Sequence, residues 1–194
     1  MPEGEEDRVF GQVVAKMTAA GTPHISTGVL GTQEIMRGLT DYGRGDIAYT
    51  LATNRTYPSW GFMTDHGATT IWELWNGDTA NPRMNSGNHI MLLGDLVIWY
   101  YQYLAGIGQT SDSRGYSHIR LQPRIPEGLS HVSATYRSPY GLIESRWCRD
   151  GNMLHWQFTI PANTTAEVCI PQQGGGYVIQ HYGSGTYEVT AQVR

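Results

Sequence analysis

Residues 89–107 read HIMLLGDLVIWYYQYLAGI, and the spacing of apolar residues along the chain changes where this stretch ends. Within it the apolar residues recur every three or four positions, which is typical of a helix that buries one face. These positions are Leu93, Leu96, Val97, Tyr100, Tyr101 and Leu104. We predict a helix that begins after the capping oxygens of Asn85 and Ser86 and ends at Gly106 or Gly108.

Upstream of this helix, the same periodicity predicts further helices separated by glycine-containing turns. They cover residues 7–20, 32–39 and 45–52. Residues 57–61 and 81–89 are predicted to be loops, and they flank an aromatic and acidic segment at 67–78. Functional side chains concentrate on such loops, so we look for a site there.

Downstream, the residues alternate between apolar and polar, as they do in β-strands. A polar segment at 108–115 precedes seven short alternating stretches, and RDGN at 149–152 has the form of a hairpin turn. The stretches cover residues 118–122, 132–136, 142–149, 153–160, 166–170, 177–181 and 187–193. We therefore predict an α plus β chain with a helical domain at 1–108 and an antiparallel β-sandwich at 109–194.

The composition excludes several classes of protein. The net charge is −4 and the single lysine is Lys16, so we expect no nucleic-acid partner. No apolar run of about 18 residues is present, and we expect no membrane span. Cys148 and Cys169 are too few for a cysteine-rich zinc site; two free thiols are the commoner outcome, although a disulfide stays open. No metal-ligand spacing or cofactor motif is recognisable, and the cell compartment is left open.

Glu73 lies among apolar residues in the stretch TTIWELWN at 69–76. Burying an unpaired carboxylate is costly, so either Glu73 faces water or it lines an aromatic pocket. In a pocket, the neighbouring Trp72 and Trp75 would make it a better proton acceptor for water. Hydroxyl and amide side chains nearby suit a carbohydrate ligand. Two roles are open for His89: a ligand contact in such a pocket, or an ordinary capping histidine at the start of the next helix. Trp60 and Trp99 are predicted core residues.

Several segments, in order along nearly the whole chain, resemble the α-L-rhamnosidases of the inverting glycoside hydrolases. The more specific ones are GATTIWELWNGD at 67–78 and MNSGNHIMLLGD at 84–95. The others in the helical half are PHISTGVLGT, YPSWGFM and YLAGI, and those in the β half are IRLQPRIPEGL, SPYGLIESRW and IPANTTAEVCIP.

This resemblance implies an (α/α)₆ barrel followed by a β-sandwich. It implies that Glu73, the glutamate of TTIWE, is the general base that activates water against the anomeric carbon of a terminal L-rhamnose, with inversion. His89 matches a histidine that contacts the sugar, and Trp72 and Asn85 are candidates for the pocket wall. The implied partner is a rhamnose-containing glycoside, and no cofactor is implied.

The chain departs from the family pattern in one respect. The family's general acid lies well upstream of TTIWE, and nothing here matches that segment. Only four or five helices fit before residue 108, against twelve in a closed barrel. We therefore expect the C-terminal portion of a rhamnosidase, inactive by itself, whose barrel an upstream polypeptide would complete. Two alternatives are a non-catalytic carbohydrate-binding protein with a remnant sugar pocket, and a related hydrolase that acts on another sugar.

Overall fold

The computed structural model describes residues 4–19 and 21–193, which form two compact units, Met1–Val97 and Ile98–Arg194. The division falls inside the last helix, upstream of the predicted limits at 1–108 and 109–194. Those domain limits stay a prediction.

Five α-helices are present in the described residues. They are α1 (Glu6–Thr18), α2 (Val29–Asp41), α3 (Gly45–Thr53), α4 (Trp60–Asp65) and α5 (Met91–Trp99), and a π-helical turn (Tyr100–Leu104) follows α5. The helices predicted at 7–20, 32–39 and 45–52 are confirmed as α1, α2 and α3, although Ala20 lies outside the described residues. The prediction of a loop at 57–61 missed the start of α4, where the Ser59 hydroxyl caps the helix by accepting from the Phe62 N–H at 2.9 Å.

The last helix is shorter than predicted. It begins at Met91, and the prediction that Asn85 and Ser86 cap it was wrong because the Asn85 side chain bonds to Leu74 and the Ser86 side chain bonds to Asn88. Gly106 does follow the end of the helical segment, as predicted. Its φ is 72°, and a Cβ at this position would lie 2.2 Å from the Pro123 nitrogen, so only glycine fits there.

Helices α2 and α3 supply part of the core of the helical unit. Met36 and Leu39 from α2, and Ile47 and Leu51 from α3, are each at most 2% exposed. Trp60 at the start of α4 is also buried, and its indole N–H donates to the Leu92 carbonyl at 3.1 Å. By contrast, α1 contributes no buried residue.

The second unit is a two-sheet sandwich, and each of the seven predicted stretches overlaps one of its strands. The described strands are β1 (Ile107–Gln109), β2 (His118–Leu121), β3 (His131–Ser138), β4 (Gly141–Asp150), β5 (Met153–Ile160), β6 (Thr165–Pro171), β7 (Tyr177–Tyr182) and β8 (Gly185–Gln192). The sheet orders are β1-β2-β6-β7 and β3-β4-β5-β8. Two features were not predicted: β1 runs from Ile107 into the polar segment at 108–115, and β2 pairs with β6 in parallel.

Inward-facing residues of both sheets form one core, which includes Ile119, Val168, Trp147, Trp156 and Phe158. A chain of hydrogen bonds ties the segment before β1 to this core. The Ser145 hydroxyl donates to the Ala105 carbonyl at 2.6 Å and accepts from the Trp156 indole at 3.0 Å. Cys148 and Cys169 are free thiols, as expected for the commoner outcome. No helix of the described chain is long and apolar enough to cross a membrane.

Candidate active site

Two loop segments, residues 71–77 and 84–89, bind each other through their backbones, and we call this pair the Glu73 clasp. The His89 N–H donates to the Ile71 carbonyl at 2.6 Å, and the Glu73 N–H donates to the Ser86 carbonyl at 2.9 Å. Beside these bonds, the Thr70 hydroxyl donates to the Asn88 side-chain oxygen at 3.1 Å. The two sequence segments that carry the resemblance are therefore neighbours in space.

Glu73 is half-buried as a residue, and its carboxylate is held by a backbone amide. Its Oε2 accepts a hydrogen bond from the Ser86 N–H at 2.9 Å. A carboxylate offers about four lone-pair positions, so one such bond orients the group and leaves acceptor capacity for water or a ligand. This arrangement suits a positioned proton acceptor.

The tryptophans beside Glu73 hold the loop in place. Trp72 is 9% exposed and packs so closely on Gly77 that a Cβ there would lie 2.6 Å from its ring. The Trp75 indole N–H donates to the Thr27 carbonyl at 3.0 Å, and its ring meets Trp60 edge-on with centroids 5.5 Å apart. The expectation that these indoles wall the carboxylate stays a prediction.

Asn85 braces the clasp. Its side-chain oxygen accepts from the Leu74 N–H at 3.1 Å, and its amide nitrogen donates to the Gly77 carbonyl at 3.5 Å. The sequence singled it out as a pocket-wall candidate, which stays a prediction. The bracing contact was missed because an asparagine in a loop carries no signal for which distant amide it will bind.

His89 lies two residues before α5, outside the helix, and is half-buried. Its Nδ1 atom is buried and has no hydrogen-bond partner among the described residues. A buried polar atom without a partner is costly and calls for an explanation, such as a ligand that satisfies it. Glu73, Asn85 and His89 thus belong to one clasp, and Trp72 packs within it.

A second buried acid, Asp95 on α5, was missed as a candidate. Its side chain is 2% exposed, and the Arg37 Nε lies 2.8 Å from its Oδ1. Burial raises the pKa of Asp95 above its usual range, and the charge of Arg37 offsets this only in part. No group of three or more histidine, cysteine, aspartate or glutamate residues in the described parts of the chain is arranged to hold a metal ion.

Models of known protein families match both halves of the chain. Residues 1–104 match the model of the bacterial α-L-rhamnosidase six-hairpin glycosidase domain. The chain belongs to the bacterial α-L-rhamnosidase family. Residues 106–184 match the C-terminal domain of bacterial α-L-rhamnosidases, in the same order along the chain.

Curated relatives agree with this assignment. An α-L-rhamnosidase of Streptomyces avermitilis is 39% identical over 153 residues, which cover 76% of this chain and 15% of that protein. One from Formosa agariphila is 36% identical over 176 residues, which cover 88% of this chain and 19% of that protein.

Two solved α-L-rhamnosidase structures share the fold. The α-L-rhamnosidase from Dictyoglumus thermophilum superposes with a TM-score of 0.88 at 28% identity, covering 99% of this chain and 24% of that one. The Streptomyces avermitilis enzyme complexed with L-rhamnose gives a TM-score of 0.82 at 34% identity, covering 95% of this chain and 19% of that one. The chain therefore spans roughly a fifth of the length of these relatives.

Proposed function

We propose that this chain is the C-terminal part of an inverting α-L-rhamnosidase and that Glu73 supplies its general base. One observation carries the proposal: the Ser86 N–H holds the Glu73 carboxylate at 2.9 Å inside the region that matches the glycosidase domain. Held in this way, the carboxylate takes a proton from a water molecule as that water attacks the anomeric carbon of a terminal L-rhamnose. The L-rhamnose in the Streptomyces relative supports this choice of sugar.

His89 contacts the sugar in this proposal. The residue is half-buried, which leaves part of it open to a ligand, and the unpartnered buried Nδ1 marks it as a polar group that the described residues do not satisfy. Trp72 and Asn85 contribute by shaping and fixing the clasp, as their contacts with Gly77 and Leu74 support.

The general acid comes from polypeptide outside these residues. An inverting glycosidase needs a protonated carboxylic acid about 6.5–9.5 Å from the base. In the helical unit, Asp46 is bonded to Arg44, which lowers its pKa, and Asp65 is paired with Arg55. Asp95 has a raised pKa, but its side chain is only 2% exposed and is paired with Arg37. None of these three acids suits the role.

The helical unit also exposes apolar surface that more polypeptide would cover. Helix α1 has no buried residue, and Leu30, Met84 and Ile90 are 82%, 73% and 67% exposed. Leaving such area wet forfeits about 25 cal/mol per Å². We propose that upstream helices of an (α/α)₆ barrel pack here, and that the isolated chain does not hydrolyse glycosides.

A chimera tests the catalytic proposal. These 194 residues replace the matching C-terminal segment of the Streptomyces avermitilis relative, and release of rhamnose from an aryl α-L-rhamnoside is measured. We expect turnover by the chimera, with the β-anomer of rhamnose appearing first by NMR, and none by the isolated chain.

The decisive variant is Glu73→Gln, which keeps the shape of the side chain and removes the base. We expect it to lower kcat in the chimera by about three orders of magnitude or more. Glu6→Gln on α1 is the matched control and should leave kcat unchanged. Full activity of Glu73→Gln would refute the base assignment. Rhamnose binding without turnover in a folded chimera would instead favour a carbohydrate-binding protein.

A further inference from the structure

The outer face of the β3-β4-β5-β8 sheet carries a groove whose lining residues all belong to the sandwich unit and include none from the Glu73 clasp. Strand pairing aligns two rows of side chains across this face. One row is His131, Cys148, His155 and Thr190, and the other is Ser133, Arg146, Gln157 and Glu188. These residues line an open depression of about 450 Å³, which we call the sheet groove.

The floor of the sheet groove is formed by four paired strands. The strands beneath it alternate, so that Trp147 and Trp156, next in sequence to groove residues, point into the sandwich core and are 2% and 1% exposed. The backbone positions that present the groove side chains are therefore fixed by strand pairing before any ligand arrives. The volume lies in the range of small-molecule sites, about 300–1,000 Å³.

The charges in the sheet groove are nearly balanced. Arg146 donates to the Glu144 carboxylate at 3.0 Å, and Gln157 donates to the Glu188 carboxylate at 3.1 Å. A phosphate or carboxylate ligand would meet these two acids and be repelled. An apolar ligand would strip water from the amide, guanidinium and imidazole groups without replacing their hydrogen bonds.

With anionic and apolar ligands excluded, the groove side chains best suit a neutral ligand rich in hydroxyl groups. The His131 Nδ1 shares a hydrogen bond with the Ser130 hydroxyl at 3.1 Å. The side chains of His155, Cys148 and Thr190 make no hydrogen bond among the described residues and face solvent. Together with Gln157, Arg146 and Glu188 they offer both donors and acceptors across two adjacent rows.

We propose that the sheet groove is a second saccharide-binding site, which holds a neutral sugar unit of a rhamnose-containing glycan. This site belongs to the sandwich unit, and its binding does not depend on the role of Glu73. Linking two sugar sites in one polypeptide raises the effective concentration of a long glycan at either site. The site would therefore favour polymeric over aryl substrates.

Titration of the 194-residue protein tests this proposal. L-rhamnose and a rhamnosyl-glucose disaccharide are added while backbone amide NMR shifts are followed. We expect shifts at groove residues such as His155 and Gln157, and a weaker Kd by about tenfold in Gln157→Ala, which removes a ligand hydrogen bond. Gln180→Ala, on exposed strand β7 of the other sheet, is the matched control and should leave the Kd unchanged.

Two further variants separate this site from the clasp. Glu73→Gln and His89→Ala should leave the groove shifts intact, whatever the chimera shows about hydrolysis. Absence of saccharide shifts in the sandwich would overturn the proposal, as would shifts that vanish with His89→Ala and persist with Gln157→Ala. A response of His131, Cys148 and His155 to Zn²⁺ without any response to sugar would also overturn it, because the groove would then bind metal.

Discussion

Glu73 and Ser86 bind each other twice: the Glu73 N–H donates to the Ser86 carbonyl, and the Ser86 N–H donates to the Glu73 carboxylate, both at 2.9 Å. The first bond fixes the backbone of the clasp, and the second fixes the side chain against it. The orientation of the acid is therefore set by the backbone amide of Ser86. Among substitutions at position 86, only proline removes this N–H.

The first prediction uses that exception. Ser86→Pro in the chimera removes the amide that orients Glu73, and we expect kcat to fall by about a hundredfold, since small displacements of a catalytic group are costly. Ser86→Ala keeps the amide and loses only the two bonds between the Ser86 hydroxyl and the Asn88 backbone, so its kcat should stay within a few-fold of the parent. Equal activities of the two variants in aryl rhamnoside assays would contradict the orienting role.

The second prediction concerns Gly77. In Gly77→Ala the new Cβ would lie 2.6 Å from the Trp72 ring, so the ring or the clasp has to move. We expect a loss of about 1–3 kcal/mol in the free energy of unfolding, as for other overpacked sites. Gly87→Ala is the control, because nothing lies within 4 Å of its Cβ. Urea midpoints followed by tryptophan fluorescence measure both, and a normal midpoint for Gly77→Ala would show that the loop has room.

The third prediction concerns pH. Burial raises the pKa of Asp95 in the folded state, so the folded protein binds this proton more tightly than the unfolded chain does. The free energy of unfolding should therefore fall as pH rises from the unfolded pKa, about 3.9, through the higher folded value. Arg37 and Glu34 are the charges that act on Asp95, and Arg37 limits the fall.

Asp95→Asn keeps the shape of the side chain and cannot ionise. Urea midpoints between about pH 3.5 and 7 should lose this part of their pH dependence in Asp95→Asn and retain it in the exposed control Asp78→Asn. The assignment fails if both variants show the parent profile.

The fourth prediction concerns the sandwich core. Ser145→Ala leaves the Ala105 carbonyl and the Trp156 indole N–H without their shared partner. Each unsatisfied buried group costs about 1–3 kcal/mol, so we expect the sandwich to unfold at clearly lower urea concentration. Ser133→Ala, on the outer face of the same sheet, should change the midpoint little. Thermal unfolding followed by near-UV circular dichroism gives an independent measure.

Local patterns predicted much of this fold. Periods of three to four residues identified α1 to α3, and alternation identified β2 to β8, because these elements bury one face and leave the other wet. The short α4 was missed because the serine cap at Ser59 precedes only six helical residues. The parallel pairing of β2 with β6 was missed because it depends on where distant strands lie, which alternation does not record.

The candidate site was predictable in part. The motifs picked out Glu73, His89, Trp72 and Asn85, and the structure brings the loops that carry them together in one clasp. The amide that holds Glu73 was not predictable, since every residue offers one and only the fold selects it. Asp95 was passed over because its partner Arg37 lies on another helix, far away in sequence.

The parallel pair also has a kinetic consequence. Strands β3, β4 and β5 follow one another through short hairpins, whereas His118 of β2 pairs with Thr165 of β6, which is 47 positions away in sequence. Closing such a long loop costs chain entropy before any contact repays it, and pairings of this kind slow folding. Strands β3, β4 and β5 should thus assemble early, and the β1-β2-β6-β7 sheet should form last. Its strand edges are then open to pairing with other chains for the longest time, during synthesis or during refolding in vitro.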